Sequence, residues 1–419
     1  MTKRNIRKIA KDKHKMNYIN GGVCAAKGFK AAGIHCGIRK NKTKRDLGLI
    51  VSDVKCSAAA VYTTNLVKGA PIYVTKENIA DGYATAVIVN SGNANTCNAD
   101  GIEIAKRMCA LVEEHLSIPA SDVVVASTGV IGQPLSIKPI EDGMEALVAN
   151  LSYDNSEAAN EAIMTTDTRK KSVAVEFQIG GKRCAIGGIA KGSGMIHPNL
   201  ATMLVFITTD VAISSKMLKA ALVGDVEDTF NMTSVDGDTS TNDTLCILAN
   251  GLAGNEEITS EGEDFDTFKS ALHMLTSEMC RMIAKDGEGA TRMIEVKVFG
   301  AIDKANARKI AKSVACSSLT KAAIFGADAN WGRVLCAIGY SGAEVDVNRV
   351  DVDFVSAAGE IGVCRGGAGI PFSEDEAKKI LLCDNIIIKI TLGDGDATAE
   401  AYGCDLTYEY VRINGDYRT

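Results

Sequence analysis

The chain reads as an α/β (α+β) enzyme, and three observations carry that reading. Apolar runs with strand character alternate with segments of helical spacing along the whole 419 residues. Hydrophobic residues make up 46% of the chain, enough to bury a large core without staples. Its several Gly-rich turns stand at strand ends, where α/β enzymes put their chemistry. The length allows two to three domains.

The elements follow in order. Ala84-Thr-Ala-Val-Ile-Val89 is apolar and short, as a buried strand is, and runs into a Gly/Asn loop. Ile102, Ala105, Met108, Leu111 and Val112 share one helical face, so a helix is predicted to Leu116. Val123 to Ala126 is a second strand, predicted to stop at Ser127-Thr128-Gly129. Glu157 to Met164 has helical character and leads into Met164-Thr-Thr-Asp-Thr168. Val173, Val175, Phe177 and Ile179 alternate strictly up to Gly180-Gly181, the signature of a hairpin. A strand to Thr209 and a helix over about 215–230 come next. The acidic, Gly-containing stretch Glu256 to Asp264 reads as a linker. Beyond it, Phe265, Phe268, Leu272, Leu275, Met279 and Met282 form one stripe of a long helix ending at Asp286-Gly287. The remainder is α/β again, with strands predicted from Ile386 to Ile413.

Composition excludes several function classes. A net charge of −6 gives no nucleic-acid footprint. No apolar run approaches the roughly 18 residues of a membrane span. Thirteen Cys, an odd number without zinc spacing or a C-x-x-C pair, fit thiols in a reducing, cytoplasmic setting. Residues 1–17 form a basic tail; its first 15 residues hold seven Lys/Arg and one Asp, with no apolar stretch of a secretory signal. The five His form no metal or Ser/His/Asp pattern, so no metal site is expected.

The chemistry concentrates at Lys191-Gly-Ser-Gly-Met-Ile-His-Pro-Asn-Leu-Ala-Thr-Met-Leu204. A hydroxyl, Thr202, stands where an apolar run begins, after flexible backbone. A cut at Ala201–Thr202 would set a free α-amine beside that hydroxyl, the Thr-plus-amine form of nucleophile and base. The pKa of such an amine, near 8, suits general-base work. Alone, a Thr at a strand start is usually structural.

This stretch resembles the self-cleaving Thr segment of the ornithine acetyltransferase family, the glutamate N-acetyltransferases of arginine biosynthesis. Six further motifs resemble the family in the same order: Asn90-Ser-Gly-Asn-Ala-Asn95, Ala126-Ser-Thr-Gly-Val-Ile-Gly132, Met164-Thr-Thr-Asp-Thr168, Asp286-Gly-Glu-Gly-Ala290, Gly326-Ala-Asp-Ala-Asn-Trp-Gly-Arg333 and Asn414-Gly-Asp-Tyr-Arg-Thr419. The resemblance covers roughly residue 18 to the end.

It implies an α-β-β-α sandwich with a smaller C-terminal α/β region at about 265–395. It implies self-cleavage into residues 18–201 and 202–419, and a dimer of the resulting pairs. Thr202 becomes the nucleophile, with Thr128 and Gly129 the donors to the oxyanion. Thr165, Lys191, Thr202, Glu288, Asn414 and Thr419 become substrate contacts, Thr166 remaining an alternative to Thr165. The implied reaction moves acetyl from N2-acetyl-L-ornithine to L-glutamate without a cofactor; some members also take acetyl-CoA as co-substrate. An aminopeptidase or amidohydrolase on the same self-processing fold is the rival in chemistry. A non-catalytic anion-binding protein, never cut, is the rival from another class.

Overall fold

The computed structural model describes residues 16–197 and 203–416. They divide into two compact units. Of the described residues, unit 1 comprises 16–192, 203–226 and Ser240–Met279; unit 2 comprises 193–197, Glu227–Thr239 and 280–416.

Unit 1 holds strands β1 (Asn17–Ile19), β2 (Phe29–Ile34), β3 (Leu47–Tyr62), β4 (Tyr83–Asn93), β5 (Val123–Val130), β6 (Lys171–Ile179), β7 (Lys182–Lys191), β8 (Leu204–Thr209) and β9 (Thr244–Ala249). Among the described residues these form a nine-stranded sheet in the order β1-β6-β7-β8-β9-β3-β4-β5, with β2 also on β3. The long β3 makes this possible. Its first half pairs with β2 and β4, its second half with β9, and its register to β4 shifts between Val51 and Cys56. A bulge of this kind bends a strand.

The bend folds the sheet over itself. One core cluster joins Ile50, Val87 and Val124 of β3–β5 to Ile189, Phe206 and Leu248 of β7–β9, strands far apart in sheet order. A second cluster covers the other face of β3–β5 with helices α1 (Ala70–Asn78), α2 (Gly101–Leu116) and α3 (Lys138–Ala149). Helix α4 (Ser156–Ile163) packs on β2 and β3. Helix α5 (Ser215–Val226) packs on β3 and β9, and at Gly188 of β7 an added Cβ would come within 2.7 Å of Met279 on α6 (Glu263–Lys285). The layers are therefore helix, sheet, sheet, helix, as expected from the motifs.

Unit 2 carries strands β10 (Met293–Ala301), β11 (Asp351–Ser356), β12 (Gly359–Arg365), β13 (Ala368–Gly369), β14 (Asn385–Thr391) and β15 (Ala397–Cys404). Their order is β13-β12-β11-β14-β10-β15. Helices α7 (Lys304–Cys316), α8 (Ser318–Phe325), α9 (Trp331–Gly339) and α10 (Glu374–Leu381) give apolar faces to its core cluster, and α11 (Tyr408–Asp416) ends the described chain.

Three expectations are corrected. Residues 256–264 are no linker: Ile258 is buried and pairs with Ala212 and Ser214 through backbone hydrogen bonds of 3.0 and 3.1 Å, all within unit 1. β5 does not stop at Ser127 but continues through Gly129, because β4 extends through Asn93 beside it. The segment 408–413 is helix, not strand. The spacing of Leu406, Tyr408 and Tyr410 mimics period two, but the Thr407 hydroxyl accepts from the Tyr410 N–H at 3.4 Å, a bond of the kind that starts helices.

Candidate active site

Strand ends meet at one place in unit 1. β7 runs antiparallel to β8, so its last residue, Lys191, pairs with the first of β8, Leu204. β9 runs parallel to β8 and starts level with it, Leu204 opposite Thr244. The end of β3 joins them, Tyr62 opposite Thr244. Thr202 and Ala201 lie outside the described residues, as does Thr419. Thr202 is bonded to Met203, whose carbonyl accepts from the Thr244 N–H at 2.9 Å.

Asn242 ties these ends to β4 and β5. Its side-chain amide donates to the carbonyls of Ala94 at 2.5 Å and Ser127 at 2.9 Å, and its oxygen accepts from Thr96 and Thr241 at 2.6 Å each. Ser127 also donates to Asn90 Oδ1 at 2.6 Å, so the Asn90–Asn95 motif is scaffolding behind Thr128. Thr128 is buried, and its hydroxyl accepts from Lys191 Nζ at 3.4 Å. Gly129 has φ of 132°, and a Cβ there would run into the Gly92 backbone. Only glycine fits that position.

Lys191 is held among carboxylates. Asp167, fully buried, accepts from Lys171 Nζ at 2.7 Å, from the Gly192 N–H at 2.7 Å and from the Thr165 N–H at 2.9 Å. Burial opposes ionisation of Asp167, yet Lys171 and Lys191 outweigh it and hold the carboxyl at about 2. Thr165 is thereby fixed in the turn that the sequence predicts, in the same network as Lys191.

Sequence reading missed Asp243. It is 3% exposed, its Oδ2 has no hydrogen-bond partner, and burial pushes its carboxyl well above the usual range against the pull of Ser240 and Lys191. The available signal was an Asp in a polar run directly before the apolar β9.

The remaining predicted residues belong to unit 2. Glu288 donates its N–H to the Ser193 carbonyl at 2.8 Å, and its carboxylate lies where any side chain at Gly194 would have to go. The Gly-rich loop here is pinned by Asp236, which accepts from the Met195 and Ile196 N–H groups at 2.6 and 2.9 Å. Asn414 Nδ2 donates to Glu288 Oε2 at 2.8 Å, and Thr407 Oγ1 to the Gly289 carbonyl at 2.7 Å. Helix α11 is thus docked on the Gly287–Gly289 turn. His197, given no role from sequence, accepts or donates at Nδ1 with Ser234 at 3.1 Å; burial, helped by Lys312, lowers its pKa to about 4. Trp331 and its neighbours are structural: Asn330 caps α9 through the Arg333 N–H at 3.2 Å, and Trp331 packs on the unit 2 core.

The ArgJ family model matches residues 30–419. The chain belongs to the ArgJ family. It is 50% identical over 392 residues to arginine biosynthesis bifunctional protein ArgJ 1 of Clostridium acetobutylicum, covering 93% of this chain and 96% of that one. It is 47% identical over 405 residues to the ArgJ of Caldanaerobacter subterraneus, covering 96% and 100%. A solved structure of ornithine acetyltransferase from Mycobacterium tuberculosis, complexed with ornithine, is 33% identical over 45% of this chain and 100% of that one, with a TM-score of 0.41. As an ArgJ protein the chain is an acetyltransferase of arginine biosynthesis, the function its motifs predict. Among the described residues no helix of this ArgJ chain is long and apolar enough to cross a membrane, and no His/Cys/Asp/Glu group is arranged to hold a metal.

Proposed function

We propose that the protein transfers acetyl from N2-acetyl-L-ornithine to L-glutamate through an acetyl ester on Thr202, after cutting itself at Ala201–Thr202, so that 18–201, behind the basic tail 1–17, belongs to one chain and 202–419 forms the other. The observation that carries this reading is the convergence of Thr128, Gly129 and Lys191 at the end of β7 opposite Leu204, two residues along the chain from Thr202.

The chemistry follows from the groups present. The Thr202 hydroxyl attacks the acetyl carbonyl while its proton passes to the α-amine. Negative charge grows on the carbonyl oxygen, where the Thr128 hydroxyl and Gly129 N–H donate; each such donor contributes about 3–4 kcal/mol in comparable sites. The C–N bond breaks, the proton goes to the leaving amine, and ornithine departs. The amine of glutamate then attacks the ester and leaves as N-acetylglutamate. Lys191 and Thr165 serve the substrate carboxylate; Glu288 and Asn414 serve its distal amine, with Thr419 at the chain end. An amide donor needs no cofactor.

The second activity implied by the relatives' word "bifunctional" is acetylation of glutamate from acetyl-CoA. The native particle is a dimer of cleaved pairs, near twice the 44.2 kDa chain mass, working in the cytoplasm. The test is turnover of acetylornithine with and without glutamate. Ornithine release that requires glutamate supports transfer; equal release without it identifies an amidohydrolase.

A further inference from the structure

We propose that the open edge of β3 and the four lysines around it form a binding cleft for a diphosphate-bearing ligand. The proposal goes beyond acetyl transfer from acetylornithine and does not depend on it.

The cleft follows from the topology of unit 1. β4 leaves β3 at Ser57 opposite Tyr83, while β9 stays paired with β3 to Tyr62. On the side away from β9, β3 therefore has no strand partner over Ala58 to Tyr62 among the described residues. In an antiparallel ladder one residue's N–H and C=O point to the same side, and the side alternates along the strand. The Ala58 N–H bonds the Gly82 carbonyl at 2.8 Å, and the Ala60 carbonyl accepts from Lys219 Nζ. The N–H groups of Ala60 and Tyr62 thus point along the same open edge. A strand edge of this kind offers its donors to whatever lies beside it.

Two adjoining cavities, of about 340 and 470 Å³, lie against this edge and share Ala60, Tyr62, Lys76 and Lys219. Lys216 lines only the first and Lys68 only the second. The lysines are thus strung along one cleft, with Lys76 and Lys219 in the middle and one lysine at either end. Ser215 and Lys216 open helix α5 on the same cleft, and helix N-termini favour anions.

The charge there is unbalanced. None of these lysines forms an ion pair among the described residues, in a chain whose net charge is −6. Asp81 is the one carboxylate lining the cleft among the described residues, and it faces Lys55 at 3.9 Å. Glu77, next to Lys76 in the chain, is held by Lys106 at 3.3 Å. Burial lowers the Lys219 pKa, and the neighbouring Lys76 ammonium lowers it further. A polyanion relieves cations crowded together in this way. One phosphate answers the middle pair; lysines at both ends call for a second. The cleft also reaches the strand ends described above, because Thr63 lines it and gives its N–H to the Asp243 carbonyl at 3.1 Å. The diphosphate belongs either to the nucleotide arm of coenzyme A or to a free polyphosphate such as a nucleoside diphosphate.

The test is calorimetric titration of the purified full-length protein with inorganic pyrophosphate. We expect saturable binding that weakens as salt rises. Inorganic phosphate should bind at least about tenfold more weakly. Lys76→Gln with Lys219→Gln should weaken pyrophosphate by about tenfold or more, while transfer from acetylornithine to glutamate and the melting temperature keep their wild-type values. Should that variant melt lower than wild type, Lys68→Gln with Lys216→Gln is read in its place. A wild type that does not bind pyrophosphate, or folded variants that bind it unchanged, overturns the proposal. Phosphate binding as tight as pyrophosphate overturns the assignment of two phosphates. Acetylation of glutamate from acetyl-CoA then separates the sources. A raised KM for acetyl-CoA in the variant assigns the cleft to the acyl donor; an unchanged KM beside lost pyrophosphate binding assigns it to a free polyphosphate.

Discussion

Lys191 Nζ lies 3.4 Å from Thr128 Oγ1, although 63 residues separate them in the chain. β7 and β5 bring them together from the two facing halves of one sheet, so cation and hydroxyl share one small volume. The two substitutions should nonetheless separate. Thr128→Ala should lower kcat by about 10²–10³ with little change in KM, because it removes a donor needed only when the oxyanion forms. Lys191→Ala should raise KM for acetylornithine about tenfold or more by removing the carboxylate contact. Steady-state kinetics of both variants, with kcat for Thr128→Ala within twofold of wild type, would remove Thr128 from the mechanism.

Cleavage has a simple reading on a denaturing gel. Purified wild type should give two bands, each near half of 44.2 kDa. Thr202→Ala should give one. N-terminal sequencing of the smaller-numbered end of the second fragment should begin at Thr202. A fully active enzyme that runs as one band contradicts processing.

The Lys171–Asp167 pair is the acid-sensitive point of unit 1. Its side chains are 1% and 0% exposed, so neither charge has water to fall back on. Removing one partner of a buried pair typically costs about 3–5 kcal/mol, so Lys171→Ala should lose a large part of the protein's stability at neutral pH. The Asp167 carboxyl is held below its unfolded value, so its stabilisation is complete above about pH 4 and is lost as pH falls through about 2. His197 acts in the same direction at higher pH. Held at about 4 by burial, it stays neutral when folded, so the unfolded chain binds the extra proton and stability falls from about pH 6.5 downward. Melting curves of Asp167→Asn should start lower at pH 7 and drop less than wild type between pH 4 and 2.

The C-terminal helix should matter for binding more than for stability. Asn414 reaches Glu288, while most of α11 is exposed, Tyr408 at 83% and Val411 at 68%. Deleting Asn414 to Thr419 should raise KM for acetylornithine at least tenfold and shift the melting temperature only slightly. Unchanged KM and kcat would mean the tail has no part in the site.

Acetyl transfer should leave a trace without any acceptor. Mixing enzyme and acetylornithine alone should add one acetyl group to the peptide beginning at Thr202, read by mass spectrometry. An equal mark from simple acetamides would argue against carboxylate recognition.

Local order was written plainly in the chain. The stripe from Phe265 to Met282 and the alternation of Val173 to Ile179 give α6 and β6 directly, because each repeats the period of its own backbone. Seven ordered motifs were enough for the family, and with it the layered fold and the acetyltransferase activity. What the sequence could not decide is which distant segments meet. The bend at Val51–Cys56 lets β3 serve both halves of the sheet, and nothing local announces it. The Asn242 staple spans 148 residues to Ala94, and Asp243 gains its meaning only when β9 starts level with β8. The terminal segment shows the same limit from the other side: Tyr408 and Tyr410 alternate like a strand, but no strand pairs with them among the described residues, and the Thr407 cap makes the helix. Periodicity reports one element's own geometry; burial of Asp243 with one carboxyl oxygen unpaired is a property of four strand ends at once, and only the tertiary structure brings those together.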